Sequence, residues 1–235
     1  MATISIPATD GAGSFDAYLV EPRKRPAGAV VLIQEIFGVN ASMRETAGQI
    51  ADLGFFVLAP DLFWRQERGV DISDKTKEEW NKAFALMHGF DHDKGMADLK
   101  ATLAAARALP GANGRAGTMG YCLGGMLAFR MAIESDADVN VSYYGVALDN
   151  FLGGLDRVRA PLIVHIADQD EYFPPEGRAK VVAATKGRPL VRTYVYPGAD
   201  HAFARVGGIH WDARSAWIAN GRSAAALAAA LDRAP

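Results

Sequence analysis

Residues 120–125 read Gly-Tyr-Cys-Leu-Gly-Gly, GYCLGG, and they hold the one cysteine of the 235-residue chain. A cysteine is often no more than a small buried hydrophobe. The neighbours of Cys122 argue for more. Upstream, "RAGTMG" reads as a short strand; downstream, "LAFRMAIE" reads as a helix. Gly120-Tyr121-Cys122-Leu123-Gly124 is then G-x-nucleophile-x-G at a strand-to-helix bend. Such a bend strains the central residue, and its flanks leave no room for a Cβ. It lifts the sulfur above a sheet and sets it at a helix N-terminus, where the dipole and N–H groups favour a thiolate. The pattern alone is weak, because 24 residues of the chain are glycine.

A functional bend requires partners further along, in the order nucleophile, acid, base. "PLIVHIADQDEYFPP" ends a predicted strand and offers Asp168 and Asp170; "VRTYVYPGADHAFAR" ends the last predicted strand and offers His201. The histidine would take or share the thiol proton, and the acid would hold the imidazole in one tautomer and stabilise its cation. Spacing does not choose between Asp168 and Asp170. Nucleophiles on such bends take one oxyanion-hole N–H from the following residue and another from a loop after an early strand. Leu123 and Ile36, the latter in "IQEIFGVN" (33–40), are the candidate donors. Glu35 in that loop is either a solvated carboxylate or one turned inward toward the thiol.

Outward from this centre, the chain reads as α/β. "ATISIP" and "FDAYLV" around Asp10-Gly11-Ala12-Gly13 suggest an N-terminal β-hairpin. "GAVVLIQ" and "FFVLAP" are apolar runs of the kind found in buried parallel strands, with a helix between them. That helix starts at Asn40 or Ser42, the second carrying Ser42-x-x-Glu45, and ends at Gly54. Residues 61 to about 90 are less regular and read as an insertion over the active-site end of the sheet. A helix from about Asp93 to Leu109 places Met96, Leu99, Leu103 and Ala106 at core spacing. "DVNVSYYG", "PLIVHIAD" and "VRTYVYPG" add strands, and helices are expected at about Glu176 to Lys186 and Trp211 to Ala234. The expectation is one domain over 1–235, with a mostly parallel central sheet and helices on both faces. Sites in such sheets form at the carboxyl ends of the strands.

Lys plus Arg total 25 and Asp plus Glu 27, a net charge of −2. That balance gives no general attraction to nucleic acid or to acidic membranes. The N-terminus lacks the basic start and apolar centre of a signal peptide, and no run of about eighteen apolar residues suggests a span. A single cysteine fits a reducing compartment. A soluble, cytoplasmic monomer is expected. His165, inside a strand, reads as a core residue, and His210 as a surface residue at a helix start. His88 and His92 stand at i, i+4, but no third ligand accompanies them, so no metal is expected.

"QEIFGVN", "GYCLGG", "DQDEYFP" and "GADHAFAR", in that order, resemble the dienelactone hydrolase (carboxymethylenebutenolidase) family of α/β-hydrolases. The resemblance covers nearly the whole chain. It implies a Cys-His-Asp triad of Cys122, His201 and Asp170, choosing Asp170 over Asp168. It implies that Glu35 lies by the thiol and helps generate the thiolate, and that Arg205 binds a substrate carboxylate and contacts that glutamate. It makes Tyr143, in "SYYG", a pocket residue. One departure stands out: the family's second carboxylate-binding arginine has no counterpart in "DKTKEEWNKAFALMHGF", where Trp80 occupies the aligned place. Lys77, Lys82, Arg65 or Arg68 would have to replace it, the lysines without the bidentate fork of arginine.

The resemblance implies a cofactor-free hydrolase that opens a carboxylated enol lactone or related ester through a cysteine nucleophile and a thioester. Two alternatives stand beside it. One is a thiol esterase of broader specificity; the other is a non-catalytic binding module with a redox-sensitive cysteine.

Overall fold

The computed structural model describes residues 2–232. Eight strands, mostly in parallel pairs, alternate with helices, and the described chain divides into two compact units between Ala116 and Gly117.

In the first unit, β1 (Ala2–Pro7) and β2 (Ser14–Val20) form the expected hairpin, with Ile6 opposite Phe15. Phe15, Ala17 and Leu19 alternate into the core, the period of a half-buried strand. β3 (Ala27–Ile33) and β4 (Phe56–Pro60) are buried along their whole length, as their unbroken apolar runs require, and they pair in parallel. β2 closes on β4 antiparallel, giving the order β1-β2-β4-β3. Helix α1 (Ala41–Asp52) joins β3 to β4. Its cap is Asn40, whose side chain accepts from the Met43 N–H at 3.1 Å. Ser42 lies inside the helix, so the Ser42-x-x-Glu45 pattern caps nothing.

The expected insertion holds a helix that the apolar periodicity did not announce. This is α2 (Lys77–His88), capped by Thr76, whose hydroxyl accepts from the Glu79 N–H. Thr76-x-x-Glu79 was the available signal. Helix α3 (His92–Arg107) follows from an Asp91 cap and buries Met96, Leu99, Leu103 and Ala106 as their spacing predicts.

The second unit begins within β5 (Ala112–Tyr121) and continues through α4 (Leu123–Glu134), β6 (Asn140–Tyr143), a 3-10 segment (Leu148–Arg157), β7 (Leu162–Ala167), α5 (Pro175–Thr185), β8 (Val191–Tyr196) and α6 (Ala213–Leu231). Strands β5, β6, β7 and β8 are neighbours in that order and all parallel. Their register aligns Tyr121, Tyr143, His165 and Tyr194 as a ladder across one face. Consecutive rings lie 4.6, 4.4 and 5.8 Å apart. Because the four strands run the same way, the loops that follow them leave from one edge of the sheet.

Helix α6 starts at Ala213, two residues later than expected, because the Asp212 side chain caps it through the Ser215 N–H. Its expected end at Ala234 lies outside the described residues. Among the described residues, no helix is long and apolar enough to cross a membrane.

Candidate active site

Cys122 stands at the bend between β5 and α4 with φ +55° and ψ −115°, a backbone conformation that side-chain-bearing residues seldom adopt. Strain of this kind costs about 1–3 kcal/mol and persists where surrounding structure enforces it. Here the Cys122 N–H donates to the Tyr143 carbonyl at 3.1 Å, and the Cys122 carbonyl accepts from the Met126 N–H at 3.1 Å. Leu123 is the first residue of α4, where a helical N–H has no acceptor within the helix. A strict glycine requirement falls one residue past the G-x-C-x-G pattern. A Cβ on Gly125 would lie 2.3 Å from the Tyr143 carbonyl oxygen and 2.9 Å from Gly145 Cα. That close approach seats the first turn of α4 on the end of β6.

The loop after β8 carries His201, and the loop after β7 carries Asp170. Nδ1 of His201 lies 2.8 Å from Asp170 Oδ2, with both residues buried. The carboxylate accepts, so Nδ1 carries the proton and Nε2 is left for the sulfur of Cys122, with which the ring also hydrogen-bonds. Burial alone would push the imidazole pKa down. The charge on the Cys122 sulfur and the bonds to Asp170 and Cys122 outweigh it and raise His201 to about 10. Cysteine, histidine and aspartate thus form one hydrogen-bonded series within the second unit. Asp168 plays no part in it; its Oδ2 accepts from the Gln169 side chain at 2.9 Å, and that bond leads the causes that lower its pKa.

The acid loop is fastened by a residue that sequence reading passed over. The Arg178 guanidinium, on α5, donates to the backbone carbonyls of Asp168 at 2.6 Å and Asp170 at 2.7 Å, and also to that of Phe173. Asp170 Oδ1 in turn accepts from the Tyr172 N–H at 2.9 Å. Two aromatic rings meet the imidazole of His201 nearly edge-on, Tyr144 at 5.1 Å and Tyr172 at 4.9 Å. Tyr172 also stands within electrostatic reach of Cys122 and Arg205. Arg205 is buried and follows His201 by four residues.

Tyr143 points elsewhere. Its hydroxyl lies 2.7 Å from Ser223 Oγ and 2.9 Å from Asn220 Oδ1, both on α6. Its neighbour Tyr144 is one of the two tyrosines that meet His201. Tyr144 follows the end of β6 with φ +34°, and that turn sends its ring a different way from that of Tyr143. His165 is a fully buried core residue, as expected. It bonds to Tyr196 Oη at 2.8 Å and Ser223 Oγ at 2.9 Å, and burial, helped by Arg222, depresses its pKa to about 3.

Glu35, Ile36 and Trp80 belong to the first unit. Glu35 and Ile36 are buried, each 3 % exposed. Trp80, half-buried, packs edge-on against Phe37 with centroids 5.0 Å apart, and its Nε1 donates to the Asp74 carbonyl at 2.9 Å. Of the cations considered as replacements for the missing arginine, three are engaged within that unit. Arg65 pairs with Asp98 and Asp10, each at 2.9 Å, Arg68 donates to the Ser14 carbonyl at 2.8 Å, and Lys82 pairs with Glu67 at 2.6 Å. Lys77 is exposed on the first turn of α2. His88 and His92 lie on different helices, and His210 Nδ1 stands 3.5 Å from Asp200 Oδ2. Among the described residues, no group of three or more His, Cys, Asp or Glu is placed to hold a metal ion.

A mostly parallel sheet, a strained residue between strand and helix, and an acid and a histidine on later loops define the α/β-hydrolase fold. A solved Klebsiella pneumoniae structure assigned as a dienelactone hydrolase shares that fold, with a TM-score of 0.81 over 97% of this chain and 99% of its own, at 23% identity. The dienelactone hydrolase family matches residues 15–231, and the chain belongs to that family. A Pseudomonas putida carboxymethylenebutenolidase is 38% identical over 99% of this chain and 98% of its own. An Azospirillum brasilense protein that bears the same name by assignment is 51% identical over 96% of this chain and 97% of its own.

Proposed function

We propose that this hydrolase opens a carboxylated enol lactone, or a closely related ester, with Cys122 as nucleophile. The observation that carries the reading is the Cys122–His201–Asp170 series, in which a strained cysteine at a helix N-terminus faces an imidazole held from behind by a carboxylate. The names of the curated relatives support the lactone as substrate.

The Cys122 thiolate adds to the lactone carbonyl, and the carbonyl electrons move onto oxygen. The N–H of Leu123 steadies that oxyanion, with Ile36, in the loop after an early strand, as the second donor. Well-aimed donors of this kind contribute about 3–4 kcal/mol each in the transition state. Collapse breaks the ring C–O bond and leaves a thioester, while imidazolium His201 gives its proton to the departing enolate. Water then attacks the thioester, His201 takes a proton from it, and breaking the C–S bond restores the Cys122 thiolate and releases the product acid. Asp170 holds Nδ1–H throughout, so Nε2 alone exchanges protons. Arg205 binds the carboxylate of the substrate, and Glu35 assists thiolate formation, both as the resemblance implies. The chemistry draws on side chains and water only. The protein acts as a monomer in the cytoplasm, with no nucleic acid or membrane partner.

The reading is tested with purified protein and a carboxylated dienelactone. Cys122→Ala should remove turnover. Stoichiometric iodoacetamide should abolish it in the native wild type and label Cys122 alone. Hydrolysis that survives in the alanine variant would overturn the reading.

A further inference from the structure

A cavity of about 290 Å³ opens beside the candidate site in the second unit. Its walls include Ala147 and Asp149 before and within the 3-10 segment, Phe173 on the acid loop, Glu176 and Lys180 on α5, and Tyr172. Neither Cys122 nor His201 lines it. Tyr172 therefore touches both the triad and the cavity: its ring meets the His201 imidazole at 4.9 Å, and it also forms part of the cavity wall.

We propose that Tyr172 is a specificity-determining partition, which confines the acyl part of the substrate beside Cys122 and closes off a ready-made subsite for a longer, uncharged acyl chain. This inference rests on Cys122 being the nucleophile. The size of the space supports it, since a chain of several methylene groups fits within such a volume. Its charge supports the word uncharged. Asp149 and Glu176 set two carboxylates against the single ammonium of Lys180, which is itself 3.7 Å from Asp149. An acyl chain ending in a carboxylate would meet net negative charge there. Tyr172 is 41 % exposed, so truncating it removes little of the core that holds the fold.

The test compares p-nitrophenyl acetate, p-nitrophenyl hexanoate and p-nitrophenyl hydrogen adipate on wild type, Tyr172→Ala and Tyr172→Phe, with circular dichroism as a check on folding. In Tyr172→Ala the hexanoate-to-acetate ratio of kcat/KM should rise at least about tenfold, the scale of discrimination that even one or two methylene groups bring in an apolar pocket. The adipate monoester should gain less than the hexanoate. Tyr172→Phe should keep the wild-type ratio, because the ring and not the hydroxyl divides the spaces. An unchanged ratio in a folded Tyr172→Ala variant would overturn the proposal, as would an equal gain for the adipate. Tyr172→Leu serves as a second variant if the alanine form does not fold. The Cys122→Ala variant separates the two claims: if it still hydrolyses the acetate, the nucleophile assignment fails first, whatever the chain-length ratio does.

Discussion

Nδ1 of His201 and Oδ2 of Asp170 lie 2.8 Å apart with both side chains almost entirely out of water. In that setting neither group has solvent to fall back on, so the charge of each depends on its neighbours. With the Cys122 sulfur on the other side, the imidazole is held between two acceptors, and its pKa rises to about 10 in spite of burial.

Histidine NMR should therefore show His201 as an imidazolium through neutral pH, titrating near 10. In Cys122→Ala its pKa should fall, since the charge of the sulfur is gone while burial persists. The stability linked to this group follows the sign of the shift. A folded-state pKa above the unfolded value of about 6.5 adds stability that is complete below that pH and fades as pH climbs through about 10. Denaturant unfolding of wild type and Cys122→Ala should show the advantage of the wild type shrinking between pH 7 and pH 10. A gap that stays constant or widens would contradict the pairing.

Arg178 gives its guanidinium to three carbonyls of the acid loop, and each of those bonds is charge-assisted. Arg178→Lys retains the charge but loses the fork. It should lower kcat about tenfold or more with a smaller change in KM, because displacing Asp170 by even a fraction of an ångström misdirects the imidazole. The unfolding midpoint should move by no more than the equivalent of about 1–2 kcal/mol. Equal losses in kcat and stability would mean that Arg178 merely holds the fold.

Gly125→Ala forces a methyl group against the Tyr143 carbonyl, a backbone atom that cannot swing aside. Overpacking of this kind costs about 1–3 kcal/mol. The displaced turn also carries Cys122 and Leu123, so iodoacetamide labelling of Cys122 should change in rate. Gly153→Ala meets no atom within 4 Å and should leave both quantities near wild type.

His165 is neutral and buried, with a folded-state pKa of about 3. A depressed histidine contributes stability that is complete above the unfolded pKa near 6.5 and declines as pH falls toward 3. Between pH 6.5 and pH 5 that decline amounts to about 1.6 kcal/mol, the slope approaching roughly 1.4 kcal/mol per pH unit only below the unfolded pKa. His165→Gln should flatten the acid limb of the stability curve, at the expense of stability at pH 7. An acid limb as steep as that of the wild type would place the sensitivity elsewhere.

The order of elements was legible along the chain because it is written in local patterns. Apolar runs marked β3 and β4, the turn at Asp10-Gly11-Ala12-Gly13 marked the hairpin of β1 and β2, and Cys122 between "RAGTMG" and "LAFRMAIE" marked the bend. The same order of motifs, nucleophile, acid, then histidine, carried the resemblance to the dienelactone hydrolase family, to which the chain belongs. Helix α2 escaped because it lies in a stretch read as irregular and buries only Ala83 and Leu86, so its Thr76 cap was the available signal. What spacing left undecided was a choice between near neighbours, Asp168 or Asp170. Near neighbours share almost the same sequence context, yet a turn sends their side chains in different directions, and only packed coordinates say which one arrives at His201. Arg178, Tyr172 and the Gly125–Gly145 approach were invisible for a related reason. Each acts across contacts between segments distant in the chain or through backbone atoms that carry no sequence signature, so they exist as relationships only once β5, β6, β7 and β8 lie side by side.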